Sequence, residues 1–196
     1  MDEKYVKVKG EEHYDLNCID SVTKYVTAHL FVEKRTLEKC KKFLRQIKIT
    51  CYNQILERYR QEKIKPKKKR KLITFVSDGF ENYKTAWSFL FGRVSKMTHG
   101  VPIKAKRGGL KHNNNPIERY NGKIKDRIKV MRGDFYAFAG AEAFLNLQHI
   151  IHNFVNPHQQ LKGKTPAEAA EIKLLLKRNK LLNLIRHVRS LHIPKR

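Results

Sequence analysis

The chain has 196 residues, enough for one domain with a sizeable hydrophobic core and too few for two full domains. Its 43 Lys and Arg against 18 Asp and Glu leave a formal charge of +25, a self-repelling excess that a polyanion relieves, so nucleic acid is the expected partner. Membrane classes are set aside because no apolar run approaches ~20 residues and no signal sequence opens the chain, which places the protein in the cytoplasm, associated with the nucleoid. Cys18, Cys40 and Cys51 lack C-x-x-C pairing, so neither a disulfide framework nor a thiolate zinc site is expected, and they read as reduced, mostly buried thiols.

In chain order, Tyr5 to Lys9 and His13 to Ile19 alternate apolar and polar residues about a turn at Gly10, Glu11 and Glu12, the pattern of a hairpin. A third strand follows the Asp20-Ser21 turn. It puts Val26, Ala28, Leu30 and Val32 on one face and Tyr25, Thr27 and His29 on the other, so the chain opens as an antiparallel meander. Thr36 suits the N-cap of a helix with Leu37, Cys40, Phe43, Leu44 and Ile47 at helical spacing, continuing toward Tyr59. The run Lys65-Pro66-Lys67-Lys68-Lys69-Arg70-Lys71 reads as a solvated basic loop near a DNA path rather than as an import signal.

Leu72, Ile73, Phe75 and Val76 form a short apolar run, expected to be a parallel strand buried on both faces, with Asp78 at its carboxyl end. A helix carrying Tyr83, Ala86, Trp87 and Leu90 follows, then a weak strand near Val94 to Thr98 and a loop around Gly108-Gly109. The next helix is capped by Asn115 with Pro116 in its first position. Its apolar stripe is Ile117, Tyr120, Ile124, Ile128 and Met131; Glu118, Asn121, Lys125, Lys129 and Arg132 line the adjacent face. An ordinary ion-pair ladder explains that face as well as a site does.

A helix from about Tyr136 to Phe154 covers the sheet with Phe138, Ala141, Phe144, Leu145, Ile151 and Phe154. His149 and His152 are read as divided between its face and flank, and neither they nor His158 as zinc ligands. Leu174 to Ile193 mixes leucines with Lys177, Arg178, Lys180, Arg186 and Arg189, a basic amphipathic helix. The fold class is therefore α/β: a mixed sheet with an antiparallel three-strand meander, parallel strands and covering helices.

Three segments carry a family resemblance: Asp2-Glu3-Lys4-Tyr5-Val6-Lys7-Val8-Lys9-Gly10, Val76-Ser77-Asp78-Gly79 and Asn115-Pro116-Ile117-Glu118-Arg119. Together with Asn156-Pro157-His158-Gln159-Gln160-Leu161 and Lys164-Thr165-Pro166-Ala167-Glu168-Ala169, they resemble DDE-class insertion-sequence transposases, distant relatives of retroviral integrases. The resemblance implies a ribonuclease H-like catalytic domain over residues 1–157 and a C-terminal helical extension over 158–196. It also implies that Asp2, Asp78 and Glu118 are the catalytic residues and metal ligands, holding two Mg2+ ions with Mn2+ as a substitute. All-oxygen donors suit magnesium, and two ions ~3.5–4 Å apart serve an in-line displacement at phosphorus. Water as attacker gives strand cleavage; a freed 3′-hydroxyl gives strand transfer.

By the same resemblance Lys125, two helical turns after Glu118, contacts DNA; Lys129, Arg132, Arg119, Lys68, Lys69 and Arg70 are further expected DNA-binding residues. Transposon ends and target DNA are the implied substrates, on which the chain forms a homodimer or larger assembly, and no membrane is involved. The helix-turn-helix segment usual in the family is expected to be absent here, so a separate polypeptide is a candidate for DNA recognition. The spacing from Asp78 to Glu118 is longer than is common in the family, and Lys111 and Asn114 stand where a tyrosine and an arginine are usual.

Each acid alone has an ordinary explanation: Asp2 as a terminal residue, Asp78 as a turn residue, Glu118 as a first-turn acid favoured by the helix dipole. Among other acids, Glu3 is set aside because strand alternation points it away from Asp2, and Asp20 because it suits a turn. Asp15, Asp126, Asp134 and Glu142 are also not favoured. The alternative is a catalytically impaired transposase remnant acting only as a basic DNA-binding protein. A structure-selective nuclease on the same fold ranks below both.

Overall fold

Lys9 and Gly10 take left-handed backbone conformations, with φ of 51° and 83°, the requirement of a tight two-residue hairpin loop. They join β1 (Asp2–Val8) to β2 (Glu11–Ile19), so the first strand begins at Asp2, earlier than alternation alone suggests. β3 (Val26–Val32) completes the antiparallel sheet in the order β1-β2-β3. The computed structural model describes residues 1–101, 114–131, 133–174 and 176–192.

Both faces of this sheet are buried. On one, Leu16, Ala28 and Val32 pack with Cys40, Phe43, Leu44 and Ile47 of α1 (Leu37–Glu62) and with Tyr83 and Ala86 of α2 (Glu81–Phe91). The expected Thr36 cap is present: its side chain accepts from the Lys39 amide at 3.3 Å. The other face sets Val6, Val8, Val26 and Phe31 against Ile117, Tyr120 and Ile124 of α3 (Asn115–Val130) and Ala141 and Leu145 of α4 (Phe138–Ile150). Each fully buried aliphatic or Phe side chain contributes about 1.5–3 kcal/mol of transfer free energy.

Val26 thus lies on the face opposite Ala28 and Val32, against the expected alternation. A register shift between Cys18 and Ile19 pairs Ile19 with Val26 and Cys18 with Ala28, and an extra residue in one strand reverses the facing of what lies beyond it.

β4 (Thr74–Val76) pairs in parallel with β5 (Lys96–Thr98), and the Met1 nitrogen donates to the Val76 carbonyl at 2.5 Å, tying the start of β1 to β4. The expected strand buried on both faces is shorter and more open: Phe75 is buried, while Ile73 is 43% exposed. At the other end of β1, Lys9 N donates to Phe135 O and Phe135 N to Lys7 O, covering that edge.

α3 starts one residue earlier than read, with Asn114 at the cap; its carbonyl accepts from the Ile117 and Glu118 amides, both at 3.0 Å. Met131 is exposed rather than part of the stripe. After α4 a wider turn over Ile151–Val155 brings His152 and Asn153 inward in succession. Asn153 pairs with the Val26 backbone in both directions, at 2.9 and 3.0 Å, so α4 and its extension close the end of β3. Both His149 and His152 are therefore buried, and neither lies on a flank.

α5 (Pro166–Ala169) opens on a capping box between Thr165 and Glu168, and the final helix α6 (Lys180–His192) is shorter than the expected Leu174 to Ile193. Cys40 is buried and Cys18 and Cys51 half-buried, all unpaired. The Gly108-Gly109 loop falls outside the described residues. No helix among the described residues is long and apolar enough to cross a membrane.

Candidate metal centre and nucleic-acid interface

The hydrogen bond from Met1 to Val76 brings the start of β1 beside the end of β4. One carboxylate oxygen from each of Asp2, Glu3 and Asp78 lies within 4.8 Å of the other two. Asp78 sits two residues past β4, where its Oδ1 accepts from the Phe80 amide at 3.3 Å and its carbonyl accepts from Gly100 at 3.1 Å. Both bonds hold the turn that presents the carboxylate.

Asp2 and Glu3 leave β1 toward opposite helical layers. Asp2 faces α3, and its Oδ2 accepts from Asn121 Nδ2 at 3.0 Å; Asn121 Oδ1 in turn accepts from Asn17 Nδ2 at 3.3 Å. Asn17 is the cross-strand neighbour of Asp2, so side chains from β1, β2 and α3 fix this carboxylate together. Glu3 faces α1 and α2, pairs with Arg35 and accepts from the Tyr83 hydroxyl at 3.3 Å. The Arg35 guanidinium is stacked among Tyr5, Tyr14 and Phe80, at 5.6, 4.7 and 4.5 Å from their ring centres.

Strand alternation does turn Glu3 away from Asp2, as expected. Its side chain leaves the opposite face, yet its length brings one oxygen back beside Asp2 and Asp78.

Electrostatics match the crowding. Burial raises the Asp2 carboxyl above its usual pKa and the Asp78 charge adds to the rise, against hydrogen bonds from the Glu3 backbone and Asn121. Glu3 is pushed up to about 7, first by burial and then by Asp78, with Arg35 pulling the other way. Like charges held this close favour a proton or a cation between them. The donors are all oxygens, and that set fits magnesium or manganese rather than zinc.

Glu118 stands on the first turn of α3, half-buried and one turn before Asn121, the residue that reaches Asp2. It is outside the group within 4.8 Å, and its carboxylate has no hydrogen bond or ion pair with any described residue. Further along α3, Lys125 is close enough to Lys4 of β1 to depress the Lys4 pKa, an effect second to burial. A groove of about 260 Å³ lies here, lined by Lys4, Lys7, Lys125, Lys129 and Asp134 among others.

Arg119 is exposed on α3 and Arg132 lies outside the described residues. Lys68 and Lys69 are exposed on a single 3-10 turn, Lys67–Lys69. Arg70 donates from its guanidinium to the Lys65 and Lys63 carbonyls, both at 2.9 Å, bracing its own loop.

A mixed sheet is layered between helices, with acidic side chains from β1 and from the turn after β4 gathered at one point. The chain belongs to the DDE-domain family: the family model DDE_Tnp_IS240, described as a DDE domain, matches residues 1–158. Among solved structures it resembles a chain of the simian T-cell lymphotropic virus intasome in complex with PP2A regulatory subunit B56 gamma. That match has 13% identity and a TM-score of 0.54, and covers 88% of this chain and 53% of that one. The catalytic core domain of BIV integrase is similar at 15% identity and a TM-score of 0.48, covering 97% of this chain and 96% of that one. No curated protein matches. The fold is ribonuclease H-like, and residues 1–158 are the family's DDE domain.

Proposed function

We propose that this domain is the catalytic part of an insertion-sequence transposase, performing metal-dependent DNA strand cleavage and strand transfer. The observation that carries the reading is the approach of Asp2 and Asp78 to within 4.8 Å, in a chain of the DDE family. Asp2 and Asp78 serve as cation ligands, and Glu118, uncommitted to any described partner, supplies the third carboxylate from α3. Glu3 is the weaker candidate for that role because Arg35 and Tyr83 already engage its oxygens. When bound, two magnesium or manganese ions supply positive charge to the attacking and leaving oxygens of an in-line displacement at phosphorus.

The chain's own residues do the positioning. Asn121 orients Asp2 by its 3.0 Å hydrogen bond, and the Phe80 amide orients Asp78. Lys125, Lys129 and Lys4 form a basic track along the α3 and β1 groove that seats backbone phosphates next to the carboxylates. Arg119, Lys68 and Lys69 add exposed positive charge, and Arg132 is assigned to the same role by its place after Lys129. The catalytic domain is assigned to residues 1–157 and a helical extension to 158–196. The proposed partners are transposon ends and target DNA, bound by a homodimer or larger assembly in the cytoplasm.

The test is nicking and joining of supercoiled plasmid with magnesium or manganese, comparing wild type with Asp78→Asn at matched DNA occupancy. Metal-dependent nicked and joined products that disappear in the variant are expected. Equal background from both proteins despite tight DNA binding would assign the chain to a DNA-binding remnant instead.

A further inference from the structure

A second group of ligating side chains lies on the sheet face covered by α3 and α4. Asp15, at the centre of β2, is fully buried; His29 projects from β3, and His149 comes from the end of α4. Asp15 Oδ2 is 3.2 Å from His149 Nε2, and Asp15 Oδ1 is 3.5 Å from His29 Nδ1. The two imidazole rings are stacked with centroids 3.7 Å apart, and one ligand atom from each of the three residues lies within 4.8 Å of the others.

These separations are informative. Four ligands at the ~2.0–2.1 Å bond lengths of zinc to nitrogen and oxygen sit about 3.3–3.4 Å from one another in a tetrahedron. Asp15 Oδ1 and His29 Nδ1 are both buried atoms without a hydrogen-bond partner, and they face each other. Buried polar atoms rarely go unsatisfied, so this pair asks for something between them. No Lys or Arg among the described residues is within ion-pair distance of Asp15.

The surroundings are those of a supported ligand set. The Tyr120 hydroxyl is hydrogen-bonded to His149 Nδ1, leaving Nε2 to face Asp15, and Asn17 Nδ2 donates to Asp15 Oδ2 at 3.0 Å. Outer hydrogen bonds of this kind fix the tautomer and direction of metal-binding histidines. The His29 side chain is 22% exposed and provides an entry path. Two imidazoles and one carboxylate suit zinc and its late first-row neighbours, in contrast to the all-oxygen group at Asp2 and Asp78.

We propose that Asp15, His29 and His149 form a structural site for one zinc-class divalent cation, separate from the carboxylate site at Asp2 and Asp78. The cation fastens β2 and β3 to α4. Through Asn17, which bonds both Asp15 and Asn121, it also steadies the residue that orients Asp2.

The test is titration of the full chain with Co2+ alone, followed by Zn2+ competition, in an Asp78→Asn background that weakens the oxygen-ligand site. One Co2+ per chain is expected, with visible absorption of a low-coordinate nitrogen and oxygen site that Zn2+ displaces. His149→Gln and His29→Gln should each abolish that spectrum, and Tyr120→Phe should weaken binding about tenfold. His187→Gln, on the exposed surface of α6, should leave it unchanged. Circular dichroism checks each fold; if His149→Gln unfolds, the partly exposed His29→Gln decides. A folded wild type with no such spectrum, or a spectrum that survives His29→Gln, overturns the proposal.

Discussion

Replacing Asp78 with Asn should make the metal-free protein more stable while it removes a cation ligand. The Asp78 carboxylate has an oxygen within 4.8 Å of one on Asp2 and one on Glu3. Two unit charges at that distance repel by about 3.5 kcal/mol at an effective dielectric constant near 20. Partial solvent exposure and the neighbouring Arg35 charge reduce this, and Asn keeps an oxygen to accept the Phe80 amide, so a net gain of roughly 1–3 kcal/mol is expected. Urea unfolding at pH 8 in chelator, and again in millimolar magnesium, measures it. Wild type should gain stability from magnesium and the variant much less. An Asn variant no more stable than wild type in chelator, with equal magnesium stabilisation of both, would refute the claim that these carboxylates share one repulsive, cation-seeking site.

Other outcomes follow from the same geometry. Glu3 has a folded pKa of about 7 against 4.5 unfolded, so its contribution is fully present below pH 4.5 and is lost as pH rises through 7. The loss is roughly 3 kcal/mol in metal-free protein, and Glu3→Gln should flatten that window in a pH series of unfolding midpoints. Asn121→Ala strips a bond from Asp2 and one of the acceptors of Asn17 Nδ2, costing about 1–3 kcal/mol in chemical denaturation and weakening magnesium binding in calorimetry. Lys125→Ala and Lys129→Ala should each weaken DNA binding across sequences and reduce the salt slope by about 1 in fluorescence anisotropy; unchanged slopes would remove the groove from the DNA path.

Local pattern made much of the scaffold legible. Period-two alternation delivered the meander, Thr36 marked the start of α1, and the stripe of Ile117, Tyr120 and Ile124 identified the buried face of α3. Asp78 was readable as the residue after a short apolar strand. Elsewhere, tertiary context overrode the local signal. Val26 changed faces because of an irregularity between Cys18 and Ile19 that no composition rule marks. Glu3 was set aside by alternation, although a long side chain on one face can reach round the end of a strand. Asn121 was placed on the Glu118 and Lys125 face, but its bond to Asp2 spans 119 residues of chain. Asp15 and His149 are 134 residues apart, and only the folded layers put them at 3.2 Å.

If Asp2, Asp78 and Glu118 hold the cations for DNA strand cleavage and transfer, Glu118 rather than Glu3 completes the set. Magnesium-dependent strand transfer by purified Glu118→Gln and Glu3→Gln proteins, at equal DNA occupancy, tests it most directly. Glu118→Gln should fall to background while Glu3→Gln retains product. Activity that survives Glu118→Gln and vanishes with Glu3→Gln would contradict it.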